Sequence, residues 1–299
     1  MIKNNINGFF LFDKHSHISS NQALQKVKKL FGAKKAGHTG TLDPLATGLL
    51  PICFGEATKV SSYLLHSSKT YLVTAKLGEL TDTGDTDGKI IDSQSISKIN
   101  QSDFKKYLNT LLGESYQKPP MFSAVKINGK RLYKHAINGE VIERDYRKIF
   151  IHKITLKSLT NNEFQLEVQC SKGTYIRVLI EDIAKNMSNL AHVKELRRTS
   201  IELLENYNMY SYSQMTSMSK KELYNCIHPL DIVFKNITKI KINSNQTIKF
   251  NHGQTINIAS QKLDIGETII IYNEKNYLQG IGTSLSENII KPTKVFNLN

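Results

Sequence analysis

The 299-residue chain is 39% apolar and 22% charged, a balance that excludes wholesale disorder and fits one large domain with a full core plus a small appendix. Forty Lys and Arg against 26 Asp and Glu leave a formal charge of +14, which points to a polyanion, most simply nucleic acid, bound in a salt-dependent way. Cys53, Cys170 and Cys226 are far apart, with no CxxC pair or His cluster at zinc spacing, so a disulfide framework and a zinc site are both excluded and a reducing cytoplasm is expected. The apolar run at 9–12 is too short for a signal-peptide core or a membrane span.

Residues 8–12 read as a buried strand. Ser19 or Ser20 then caps a helix whose apolar positions Ala23, Leu24, Val27, Leu30 and Phe31 follow helical spacing. Lys26, Lys28, Lys29, Lys34 and Lys35 form a basic ridge, either a phosphate track or a solvated face. The ridge leads into the stretch on which the chain turns, GHTGTLDPLATGLL at 37–50. Gly37, Gly40, Gly48 and Pro44 break both helix and central strand and leave a shaped loop. Pro44 forces Asp43 into extended geometry, which presents its carboxylate among apolar neighbours Leu42, Leu45 and Ala46. A desolvated carboxylate calls for a cationic partner; the other reading is that Asp-Pro merely begins a turn.

A second buried strand follows at 49–54, then a short helix at 56–65 with Lys59 near its start. The segment 71–77 alternates cleanly, with Tyr71, Val73, Ala75 and Leu77 on the buried face. Tyr71 is there a core tyrosine or a presented ring. TDTGDTDG at 81–88 resembles a calcium loop but lacks the closing Glu, and no metal site is expected. An amphipathic helix spans 102–112. From 118 to 148, Lys130, Arg131, Lys134, Arg144, Arg147 and Lys148 interleave with Tyr133 and Tyr146, which suits RNA contact or an exposed insertion.

Strands at 149–159 and 164–170 lead to CSKGTYIR, where Thr174 is expected to cap a helix and Arg177 falls in its first turn. A cation there opposes the helix dipole, and a nearby anion resolves the conflict; Asp43 is the candidate. A strand at 191–200 and a polar helix at 213–225 follow. Beyond about residue 240 short strands, at 247–250, 268–272, 277–281 and 289–295, suggest a small all-β module.

Taken together, GHTGTLDPLATGLLPICFGEATK at 37–59, KTYLV, TDTGDTDG, GKRLY, CSKGTYIR and AHVKELRR stand in the order of one family. The chain resembles the TruB family of bacterial tRNA pseudouridine synthases, which isomerise uridine 55 in the T-loop of tRNA. LQGIGTS at 278–284 resembles, more weakly, that family's small RNA-binding β module.

The resemblance implies an α/β (α+β) pseudouridine synthase fold: a mixed, mostly antiparallel sheet with flanking helices over residues 1–240, carrying a basic insertion at 118–148, and a PUA-like domain over 241–299. It makes Asp43 the catalytic carboxylate, Arg177 its partner and Tyr71 the ring stacked on a flipped base. His38, Tyr175, Leu196 and Lys59 become substrate-binding positions. It implies no metal or organic cofactor, and a cytoplasmic monomer acting on tRNA alone. The rivals are a tRNA-binding or folding protein without turnover and a guide-dependent synthase. In one place the chain departs from the family: DKHSHISS carries His15 and His17 where Pro and Gly are usual, which leaves the shape of that local loop open.

Overall fold

The computed structural model describes residues 4–258 and 262–298. After β1 (Gly8–Lys14), a capping box between Ser19 and Gln22 starts α1 (Ser20–Phe31), and Gly32 in the left-handed conformation ends it. A short β2 (Ala36–His38) and the glycine-rich loop lead into β3 (Thr47–Phe54), which pairs antiparallel with β1 and, at its far end, with β2. The helix expected at 56–65 opens as a 3₁₀ turn, Gly55–Val60, before becoming α2 (Ser61–His66). β4 (Lys69–Leu77) follows, and the TDTGDTDG loop lies between β5 (Glu79–Thr81) and β6 (Ile90–Ser93), a small hairpin of its own.

Asn100 caps α3 (Gln101–Thr110), which precedes β7 (Gly113–Gln117). Within the basic arm, β8 (Lys126–Ile127) and β9 (Lys130–Arg131) turn at Asn128 and Gly129, both at positive φ as a tight hairpin requires, and run into α4 (Leu132–Ile137). Leu132 is fully buried at the start of α4. β10 (Arg147–Leu159), β11 (Glu163–Cys170), α5 (Ile176–Asn186) and β12 (Ala191–Ile201) complete the large sheet. Its order is β1-β3-β12-β4-β11-β10-β7, with β2 beside β3; of its pairings only β12 with β3 is parallel.

The polar helix expected at 213–225 is two helices, α6 (Tyr212–Ser217) and α7 (Lys220–Asn225), because Ser219 forms a fresh capping box with Glu222 and restarts the chain. A second sheet begins with β13 (Thr238–Ile242), ahead of the boundary expected at 241. Asn243 then caps α8 (Ser244–Asn251), so the strand expected at 247–250 is helical. β14 (Ile256–Asn257), β15 (Thr268–Asn273), β16 (Leu278–Ser286) and β17 (Ile289–Val295) follow, in the order β13-β15-β16-β17-β14.

The two patterns of hydrophobicity have different causes. β4 and β11 alternate because one face carries the main core, through Val73, Ala75, Leu166 and Val168, and the other is partly solvated. β1 and β3 are buried on both faces. Phe10, Phe12, Leu50 and Ile52 join the main core, whereas Phe9, Leu11, Leu49 and Cys53 pack into a second cluster with Ile270, Ile281 and Phe296 of the C-terminal sheet. The continuous apolar runs at 9–12 and 49–54 are thus the footprint of the second sheet on the first.

Candidate active site

The loop between β2 and β3 is fixed from three sides. The buried Ser20 hydroxyl donates to the Leu42 carbonyl at 2.9 Å and accepts from the Leu42 N–H at 2.8 Å. The fully buried Lys14 donates through Nζ to the carbonyls of His15, Ile18 and Pro44, at 2.9, 2.8 and 3.1 Å. Burial lowers the Lys14 pKa to about 8, against the raising field of Asp43. Arg198, 1% exposed, donates from Nε to Leu49 O and from Nη2 to Gly40 O, both at 2.8 Å. The loop glycines answer to it: Gly48 has φ +96°, and a Cβ there would lie 2.2 Å from the Arg198 carbonyl oxygen.

His17 sits where the family pattern has glycine, and it adopts the conformation a glycine would, φ +61°, while its N–H donates to Pro44 O at 2.9 Å. The turn beside Asp43 thus places a histidine in a backbone conformation that favours glycine. His17→Gly should raise stability by about 1 kcal/mol, read by chemical denaturation; a loss of stability would show that the imidazole compensates for its backbone.

At the tip of the loop Asp43 Oδ2 lies 2.9 Å from Arg177 Nε. Arg177 is 4% exposed, and its other two nitrogens are tied to the backbone: Nη1 donates to Thr83 O, and Nη2 to Phe122 O at 2.8 Å. Its Nε also faces Asp85 Oδ2, at 3.7 Å. Burial, more than any neighbour, pushes the Asp85 carboxyl pKa up, opposed by a hydrogen bond from Thr83 and by the Arg177 cation. Asp85 comes from TDTGDTDG, whose acids the sequence shows only as a turn; among the described residues no group of His, Cys, Asp or Glu is arranged to hold a metal.

Asp43 and Arg177 open on a cavity of about 230 Å³, to whose lining Tyr71, Tyr175, Leu196, Lys69 and Arg198 also belong. Tyr71 is half-buried on β4, and desolvation raises its hydroxyl pKa against the lowering effect of Arg198. Leu196, on β12 and paired with Val73, supplies an apolar wall. Tyr175, not Thr174, is the N-cap of α5, and the Thr174 hydroxyl turns back to Ser171 O instead. Lys69 donates to the carbonyls of Leu64, Leu65 and Ser67, closing the end of α2, and burial lowers its pKa to about 8. Nothing in the spacing of Lys69, Arg198 or Asp85 marks them, since each meets the site only through long-range strand pairing.

Two expected positions lie elsewhere. His38, on β2, is half-buried outside the cavity lining; its Nδ1 has no hydrogen-bond partner among the described residues, and burial with the Arg198 and Arg131 cations lowers its pKa. Lys59 is turned away: Nζ pairs with Glu56 at 2.6 Å and donates to Val295 O at 2.8 Å, while Lys294 Nζ reaches back to Lys59 O. The helical turn that carries Lys59 faces the second sheet, so the side chain clasps β17.

A single presented carboxylate, gripped by a buried guanidinium beside an aromatic ring, suits chemistry at a sugar carbon rather than hydrolysis by a carboxylate pair. The fold recurs in a chain of a Cbf5–Nop10–Gar1 complex, with TM-score 0.73 and 22% identity over 97% of this chain and 85% of that one. Residues 28–176 match the N-terminal domain of the TruB family pseudouridylate synthases. The class is that of a pseudouridylate synthase. The tRNA pseudouridine synthase B of Actinobacillus pleuropneumoniae serotype 5b is 39% identical over 98% of this chain and 97% of its own, and that of Wigglesworthia glossinidia brevipalpis 44% identical over 92% and 85%. The chain belongs to the TruB family.

Proposed function

We propose that this enzyme converts uridine 55 in the T-loop of tRNA to pseudouridine, working as a monomer in the cytoplasm, with Asp43 as the catalytic carboxylate. The observation that carries the reading is the Asp43–Arg177 pair at the mouth of a cavity that Tyr71 lines. The formal charge of +14 supports an RNA substrate, and tRNA is what the similar enzymes are named for. Among the described residues no helix is long and apolar enough to cross a membrane.

A uridine inside a folded loop is out of reach, so it must swing out, at a cost of about a few kcal/mol that stacking and phosphate contacts offset. Tyr71 supplies the stacking face, and Tyr175 and Leu196 close the pocket around the ring. As the C1′–N1 bond breaks, positive charge grows on the ribose, and the Asp43 carboxylate stabilises or captures it. The uracil turns and C5 bonds to C1′, expelling the Asp43 carboxylate where it had bonded there; the C5 proton leaves and N1 takes up a proton. Throughout, the apolar wall of Leu42, Ile176 and Leu196 keeps water from intercepting the sugar. The basic arm at 118–148 and the 241–299 module serve as further RNA-contacting surfaces.

The test is tritium release from a tRNA transcript labelled at C5 of its uridines, followed by mapping of the modified position. Release confined to position 55, and abolished by changing that uridine to cytidine, is expected. Release from another position, or none, would overturn the assignment.

A further inference from the structure

The first turn of α5 carries Arg177 and begins at Tyr175, yet no side chain of the helix's own N-terminus caps it. Instead a side chain 58 residues upstream braces the N-cap residue itself. Gln117, the last residue of the edge strand β7 and only 5% exposed, accepts from the Tyr175 N–H at 2.8 Å through Oε1 and donates from Nε2 to the Tyr175 carbonyl at 3.1 Å. Its amide thus satisfies both backbone groups of one residue, which fixes the direction in which α5 leaves the CSKGTYIR turn. Tyr175 lines the cavity, and two residues on Arg177 Nε holds Asp43. The same segment also supplies Phe122 O, which accepts from Arg177 Nη2. Gln117 itself is outside the cavity lining.

We propose that Gln117 is a positioning residue for the isomerisation: its paired hydrogen bonds to the Tyr175 backbone set where Arg177, and through it the Asp43 carboxylate, stands relative to the bound nucleoside. The proposal rests on the function given above. Without the amide, the partly buried Tyr175 N–H loses its acceptor and the Tyr175 carbonyl keeps only the Leu179 N–H of the helix itself, so the first turn of α5 relaxes. A displacement of about 1 Å at a reacting group costs on the order of 100-fold in rate. Affinity for tRNA, which is spread over many phosphate contacts, is unaffected by such a shift.

The experiment is single-turnover tritium release, with enzyme in saturating excess over labelled tRNA, for wild type, Gln117→Met, which keeps the length of the side chain without its polar atoms, and Gln117→Glu, which keeps the acceptor and loses the donor. The expected result is a rate constant lowered about 10- to 100-fold in Gln117→Met, an intermediate value in Gln117→Glu, full reaction amplitude in both, and an unchanged tRNA dissociation constant. A residue that serves only folding would lower the fraction of competent enzyme, so that more protein is needed to saturate, and leave the saturated rate constant alone. An active wild type with unchanged saturated rate constants in both variants, whether or not more protein is needed, overturns the role of Gln117. A wild type that leaves tRNA unmodified sinks the proposed function first and this role with it.

Discussion

Asp43→Asn is expected to abolish tritium release from tRNA while leaving tRNA binding essentially unchanged. The amide matches the carboxylate in shape but carries no negative charge, so it can neither offset charge on the ribose nor bond to C1′. The fold should tolerate the change. Asp43 sits at a loop tip with its side chain 36% exposed, and Arg177 keeps Asp85 at 3.7 Å and its two carbonyl acceptors. Affinity comes largely from phosphate contacts along the basic surface, so filter binding should give a dissociation constant close to that of wild type. Measurable turnover by the variant would mean that the carboxylate is dispensable.

Arg177→Met should cost both stability and rate. The guanidinium joins Asp43, Asp85, Thr83 O and Phe122 O, and removing it leaves acceptors with no donor in a buried place. Breaking a buried pair costs roughly 3–5 kcal/mol; Asp43 is partly solvated, so a loss of about 3 kcal/mol, read by denaturant unfolding, is expected. The single-turnover rate should fall by about 100-fold or more, because Asp43 loses the contact that orients it. Arg177→Lys should restore some stability and little rate, since an ammonium cannot reproduce the fork that spans Asp43, Thr83 and Phe122. A wild-type rate constant in Arg177→Met would show that the pair is incidental to the chemistry.

Much of this was legible in the residues. The alternation at 71–77 gives β4 and its buried face, and the continuous apolar runs at 9–12 and 49–54 mark strands covered on both sides. The pairing of Asp43 with Arg177, which meet at 2.9 Å, is suggested by local chemistry: a carboxylate in an apolar loop calls for a cation, and a cation in a helix's first turn for an anion. Other features are present in the residues but imitate something else. Asn243-x-x-Gln246 is a capping box, but the alternating TIKF after it imitates a strand, and the helix wins because both cap bonds form. Thr174 looks like a helix cap, but its hydroxyl turns back to Ser171 O and Tyr175 becomes the N-cap.

What composition and spacing do not show is anything assembled by long-range pairing. Asp85 reaches Arg177 because the TDTGDTDG loop is drawn against β12, where the Thr86 N–H donates to Val193 O. Lys59 follows the active-site loop closely in the chain and faces the other way, because a 3₁₀ turn carries it toward β17. His17 shows a further case: a left-handed backbone at a residue whose type does not announce it.

The most direct measurement is a crystal structure of Asp43→Asn bound to a T-arm hairpin. The account predicts uridine 55 turned out of its loop, its uracil against the Tyr71 ring, and C1′ within about 3–3.5 Å of the side chain at position 43. A uridine still stacked in the RNA, or one lodged where neither Tyr71 nor residue 43 meets it, would contradict it.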